Sequence, residues 1–219
     1  MRKAATMIEL IITIIVLGLA MTTIPVILSS VSKSDEFSLN QEALLAGATT
    51  IGNILTYNWD EKSTDLNITL SPILDVTNGD DELDRETNTT WRKGSFKGTN
   101  RRKFYNTILY ASTVLGNDTN DSDDIDDFIG TKSLTIVSNS NYDYVKDIDL
   151  VTNVYYVNDK TAYNQKNLNF TFDINSAGAS TNIKLIEVKV IDKLNNNIIA
   201  VFRSYALNIG EYKLLSRDF

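Results

Sequence analysis

The 219-residue chain contains no cysteine and no histidine. Without cysteine there is no disulfide, no thiolate metal site, no thiol nucleophile and no lipid attachment through an N-terminal cysteine. Without histidine there is no Ser-His-Asp triad, no imidazole ligand and no imidazole base. Positive charge is also short. The net charge of -7 excludes binding to nucleic acid by neutralising phosphates over the chain as a whole. Few routes to catalysis remain. Hydrophobic residues make up 42% and charged residues 22%, the proportions of a packed protein rather than a disordered one.

Hydrophobicity is concentrated at one end. Residues 10–32 carry no charge, and Leu10 to Leu28 is almost wholly apolar. As a helix that stretch covers roughly 28 Å, close to a bilayer core. Arg2 and Lys3 precede it and set a cytoplasmic N-terminus. A cleaved secretory signal fits poorly, because its apolar core runs about 7–15 residues and ends at a small-residue cleavage site. A plain signal anchor fits the length. Glu9 disturbs that reading, because it stands at the head of the run between Ile8 and Leu10. A carboxylate at mid-bilayer costs about 2.5–3.5 kcal/mol and less near the edge. Either Glu9 is a wet interfacial residue, or it meets a cation inside the membrane or an assembly. Pro25 and Gly18 are soft points within the same run, since proline removes one helical hydrogen bond.

The stretch Lys3-Ala4-Ala5-Thr6-Met7-Ile8-Glu9-Leu10 resembles the class III signal of type IV prepilins and pseudopilins. The resemblance runs to about residue 30. It implies cleavage by a prepilin peptidase between Ala4 and Ala5, with methylation of the new amine. Thr6, Glu9 and Pro25 then become assembly residues, and the Glu9 carboxylate neutralises the Ala5 amine within a bundle of helices. Two positions depart from the family pattern. Ala4 stands where Gly is usual and Ala5 where Phe is usual, which bears on the efficiency of processing and methylation. The implied partners are the membrane, other pilin or pseudopilin subunits, the peptidase and an inner-membrane assembly platform. The implied location is a single-pass inner-membrane protein with a periplasmic head, later part of a surface pilus or a periplasmic pseudopilus. No cofactor is required.

Helical spacing continues past the membrane run. Leu44, Ala48, Ile51 and Leu55 form a stripe that Leu45 and Ile54 widen, predicting one apolar face that needs a partner surface. The organisation expected is a basic leader at 1–4, a long helix over 5–58 with a membrane segment at 10–28, and a β-rich head over 59–219. The fold class is α+β: the helix packs on an antiparallel sheet, the pilin-like arrangement that the resemblance implies. Five strands are predicted, at 133–137, 149–157, 168–174, 183–191 and 198–209. The last two form a hairpin around Asn195-Asn196-Asn197. Residues 168–174 alternate as a half-buried strand should. Residues 59–105 read as turns and loops, and 103–115 fit a helix or a strand equally.

Three local patterns carry chemistry. Arg92, Lys93, Lys97, Arg101, Arg102 and Lys103 interleave with Trp91, Phe96, Phe104 and Tyr105. Such a pattern suits an anion or DNA site, or a solvated loop balancing the acidic segment that follows. That segment holds Asp118, Asn120, Asp121, Asp123, Asp124, Asp126 and Asp127. Like charges this close repel, and a hard cation such as Ca2+ relieves them with oxygen ligands. The EF-hand template is absent, and a solvated acidic turn is the alternative. Residues 123–130 also resemble the aspartate-rich loop of minor pilins of the mannose-sensitive hemagglutinin type. Asn67, Asn88 and Asn120 sit in extended bacterial N-glycosylation patterns.

The function expected is therefore that of a structural subunit, not an enzyme. It would serve a type IV pilus or a type II secretion pseudopilus, as a minor component. The alternative is a tip binding module for DNA, a surface or a secreted substrate. A membrane-anchored periplasmic enzyme ranks last, because no pattern pairs two carboxylates for acid–base work.

Overall fold

A computed structural model describes residues 7–64, 70–98, 101–116, 122–135 and 146–212. The first element is α1, Met7–Ile54. At about 1.5 Å per residue it is roughly 72 Å long. The helix runs through Pro25. It is long and apolar enough to cross a membrane. It stops at Ile54, short of the predicted Asn58, in a turn where Tyr57 N–H donates to Ile54 O at 3.1 Å.

The head follows. A short helix α2, Glu61–Thr64, leads into irregular chain with two three-residue 3-10 turns, Asp81–Leu83 and Asp126–Phe128. Residues 103–115 form neither helix nor strand. They touch the rest through isolated bridges, Phe104 with Ile73 and Tyr110 with Asp75. Five strands close the chain: β1 Gly130–Leu134, β2 Ile148–Asp159, β3 Phe172–Ser176, β4 Ile183–Asp192 and β5 Ile198–Leu207. The fold is thus α+β with a five-stranded antiparallel sheet.

The sheet order is β1-β2-β4-β5, with β3 added to β2. β4 lines one edge of β2 from Tyr156 to Ile148. The other edge is shared, by β1 along 148–152 and by β3 at Val157 and Asp159. Between β4 and β5 the chain turns at Lys193–Asn197, where Asn196 takes φ 58 and Asp192 Oδ1 accepts the Leu194 N–H at 3.0 Å.

Alternation along the strands makes two faces. Ile148, Leu150 and Val154 of β2, Ile186, Val188 and Val190 of β4, and Ala206 of β5 form the main core with α1. Val157, Ile183 and Leu185 form a smaller cluster with Tyr155 and Tyr205. The helix meets the sheet through small residues. Ala43 and Gly47 are buried with Ile54, while Leu45 and Leu55 are exposed. This differs from the predicted stripe: of its members only Ile51 and Ile54 pack inward. The reason is space. A Cβ on Gly47 would lie 2.6 Å from both Phe202 Cε2 and Val190 Cγ2, so only a small-residue face lets the helix come this close.

A second expectation fails at 168–174. β3 begins only at Phe172, and Leu168, Phe170, Phe172 and Ile174 are exposed rather than half-buried. β3 pairs at just two positions across a bulge, which leaves its apolar side facing out.

Candidate functional site

The helix shaft is the largest distinctive surface. Every described side chain from Met7 to Ser38 is exposed. The apolar members are Ile, Leu, Val, Met and Phe side chains standing in open space, which water does not favour. Glu9 lies in the first turn. Thr13 Oγ1 donates to Glu9 O at 2.7 Å and to Leu10 O at 2.9 Å, and Thr22 Oγ1 donates to Leu19 O at 2.9 Å. Threonines thus hide their hydroxyls against the helix backbone, so the shaft is apolar in effect. Ala4, Ala5 and Thr6 lie outside the described residues.

A buried charged junction fastens the head below this shaft. Lys184, fully buried on β4, donates from Nζ to Trp59 O at 2.6 Å, Asp60 Oδ2 at 3.1 Å and Asp126 Oδ1 at 2.5 Å. The ammonium also lies 4.7 Å from the Trp59 ring centroid. Asp60 Oδ1 accepts the Ser112 N–H at 3.1 Å, and Asp126 Oδ2 accepts the Gly116 N–H at 2.9 Å. Tyr156 O–H lies 2.7 Å from Ser112 O and 3.1 Å from Asp60 Oδ2. Burial first, then the Asp60 charge, raise the Tyr156 phenol above its ordinary value. Lys184 therefore ties two irregular segments to the sheet directly, and Asp60 and Asp126 add a third at Ser112 and Gly116.

The acidic segment is divided by this junction. Asp126 turns one oxygen to Lys184 and the other to Gly116, and it lies outside the carboxylate group that Asp123 and Asp127 join. Asp124 Oδ1 accepts the N–H groups of Asp126 and Asp127. Burial, then repulsion from Asp126, push its carboxyl up to about 7. Asp123 and Asp127 remain, and the fold adds Glu61, which the sequence reading missed. Their carboxylate oxygens lie within 4.8 Å of one another. Asp123 Oδ1 is shielded from solvent and accepts no hydrogen bond. These three are the described residues that could hold a hard cation with oxygen ligands. Asp118, Asn120 and Asp121 lie outside the described residues.

The basic cluster is sorted as well. Lys93 reaches Asp84 at 3.8 Å and donates to Asp81 O at 2.7 Å, and Lys97 reaches Glu86 at 2.9 Å. Arg92, Arg101 and Arg102 line one cavity of about 350 Å³. Lys103 is exposed, and its carbonyl takes the Ile73 N–H at 2.9 Å. Of the three glycosylation patterns only Asn88 is described; it is exposed in a turn at φ 57, while Asn67 and Asn120 lie outside. No known protein family, no curated protein and no solved structure matches this chain.

Proposed function

We propose that the chain is a prepilin-like structural subunit. Prepilin peptidase cleaves it between Ala4 and Ala5. The first half of α1 then holds it in the inner membrane with the head outside. An assembly platform lifts it into a type IV pilus or a type II secretion pseudopilus, as a minor component. The observation that supports this reading is the division of α1. The described side chains of residues 7–32 form an exposed, largely apolar shaft with Glu9 near its head, while Ala43, Gly47 and Ile54 are committed to the sheet.

Such a shaft suits two solvents in turn, the bilayer and a bundle of sister helices. At the edge of the bilayer a carboxylate stays wet at small cost, but inside a bundle of helices it is costly without a cation beside it. The amine freed at Ala5 supplies that cation and selects the register of an incoming subunit. The large head with its polar loops favours a minor role, because a major subunit packs many identical copies closely. The test is Glu9→Ala. Membrane retention should be unchanged and recovery in sheared fibres should fall. Fibre incorporation at the wild-type level would remove Glu9 from assembly and weaken the reading.

A further inference from the structure

Two arginines lie over the ring of Phe104, Arg85 at 4.7 Å and Arg92 at 5.7 Å. Their charges are answered differently. Arg85 is closed by Asp75, with Nη2 at 2.6 Å and Nε at 3.0 Å from its oxygens. Arg92 reaches neutral oxygens only. Its Nη2 donates to Asn182 Oδ1 at 3.2 Å and Asn208 O at 3.0 Å, and its Nε, shielded from solvent, donates to nothing. Burial lowers its pKa from the ordinary guanidinium value. Among the described residues, none of Arg92, Arg101 and Arg102 forms an ion pair. Lys93 and Lys97 are each paired with a carboxylate, whereas these three arginines are not.

These three arginines line the cavity of about 350 Å³, beside Ile73, Phe96 and Tyr212. Its frame is fastened. Asn208, 2% exposed, accepts the Leu74 N–H at 3.0 Å and returns a donor to Leu74 O at 2.8 Å. Phe104 N–H donates to Thr90 O at 2.8 Å. Gly210, at φ +60, lets the rim pass where a Cβ would lie 2.9 Å from Ile73 N. Glu211, next to Tyr212, accepts the Ser71 N–H at 3.0 Å.

Three arginines without an ion pair among the described residues, lining one cavity of an acidic chain, suit an anion. A phosphate ester carries about -1.5 to -2 charges and matches the guanidinium fork. The aromatic rim says what the anion is attached to. Phe96 is 77% exposed and contributes nothing to the core. Arg101 lies 5.6 Å from its ring centroid. Exposed rings beside arginines make a stacking platform for a flat base. The cavity is near the lower end of ligand-sized pockets, enough for one such unit.

The geometry points to a site for a single nucleotide: Arg92, Arg101 and Arg102 take its phosphate, and Phe96 and Tyr212 take its base. Titration calorimetry on the full chain in nonionic-detergent micelles tests this. The probes are adenosine 5′-monophosphate, inorganic phosphate, adenosine and a short oligothymidine. Saturable binding of the monophosphate is expected, weakening with added salt, with phosphate and adenosine each about tenfold weaker. Arg92→Gln should weaken the monophosphate about tenfold, as should Arg101→Gln with Arg102→Gln, two exposed positions whose change spares the fold. Lys93→Gln should leave it within about twofold. No binding up to about 10 mM by the folded chain would overturn the site. So would an unchanged affinity in the Arg101/Arg102 variant, inorganic phosphate binding as well as the nucleotide, or oligothymidine binding where the monophosphate does not.

Discussion

Lys184 Nζ lies 3.1 Å from Asp60 Oδ2, and both side chains have no solvent exposure. A charge pair this deep stabilises little relative to an apolar substitute, but breaking it is costly. Lys184→Met would strand Asp60 and Asp126 together. It should destabilise the head by about 3–5 kcal/mol. The triple change Lys184→Met, Asp60→Asn, Asp126→Asn should recover part of that loss. Chemical denaturation of the three proteins measures both effects.

Gly47 sets the distance between α1 and the sheet, with Phe202 and Val190 in the space a side chain would enter. Gly47→Val should cost about 1–3 kcal/mol by overpacking. Gly52, which has open space around it, should accept Ala with no loss and a small gain in helix stability of about 1 kcal/mol. Melting temperatures of the two variants, compared with wild type, separate a packing role from simple helix propensity.

Acid should weaken the head through carboxylates that hold partners. The Lys160 ammonium at 2.8 Å and the Asn175 N–H hold Asp173 down to about 2. Lys146 at 2.9 Å and the Leu194 N–H likewise hold Asp192 below its ordinary value. Groups lowered on folding supply stability that is full above their unfolded value, near 4, and is lost as pH falls through the folded value. Stability should therefore drop between about pH 4 and pH 2. Asp173→Asn should flatten that drop in urea titrations while changing its slope little above pH 5.

Much of this architecture is legible in the residues. The apolar run at 10–32 shows because a bilayer-length stretch without charge has few other uses. β2 and β5 show because one face of each is more buried than the other, and burial writes a period of two, while β4 shows as a β-branched run buried on both faces along 183–188. The hairpin shows through its asparagines, one of which adopts positive φ. Other features leave weaker marks. Lys184 sits in a strand like any outward lysine, and only its distant partners make it a buried cation. Glu61 joins Asp123 and Asp127 across a long loop, which no local spacing records. The inner face of α1 hides in Ala43, Ala46 and Gly47 because larger apolar neighbours dominate the periodicity. That small-residue spacing is the signal from which it could have been found. At 168–174 the alternation is present, yet the apolar side faces outward, because period alone does not say which face a core will cover.

The claim on which the functional account depends is that the mature chain begins beside Glu9 with a new amine. Intact-mass measurement of the membrane-extracted protein, with and without the prepilin peptidase, reads this directly. The account predicts a chain starting at Ala5, unmodified or carrying one methyl group, only when the peptidase is present. A chain that starts at Met1 under both conditions, or beyond the apolar run, would contradict it.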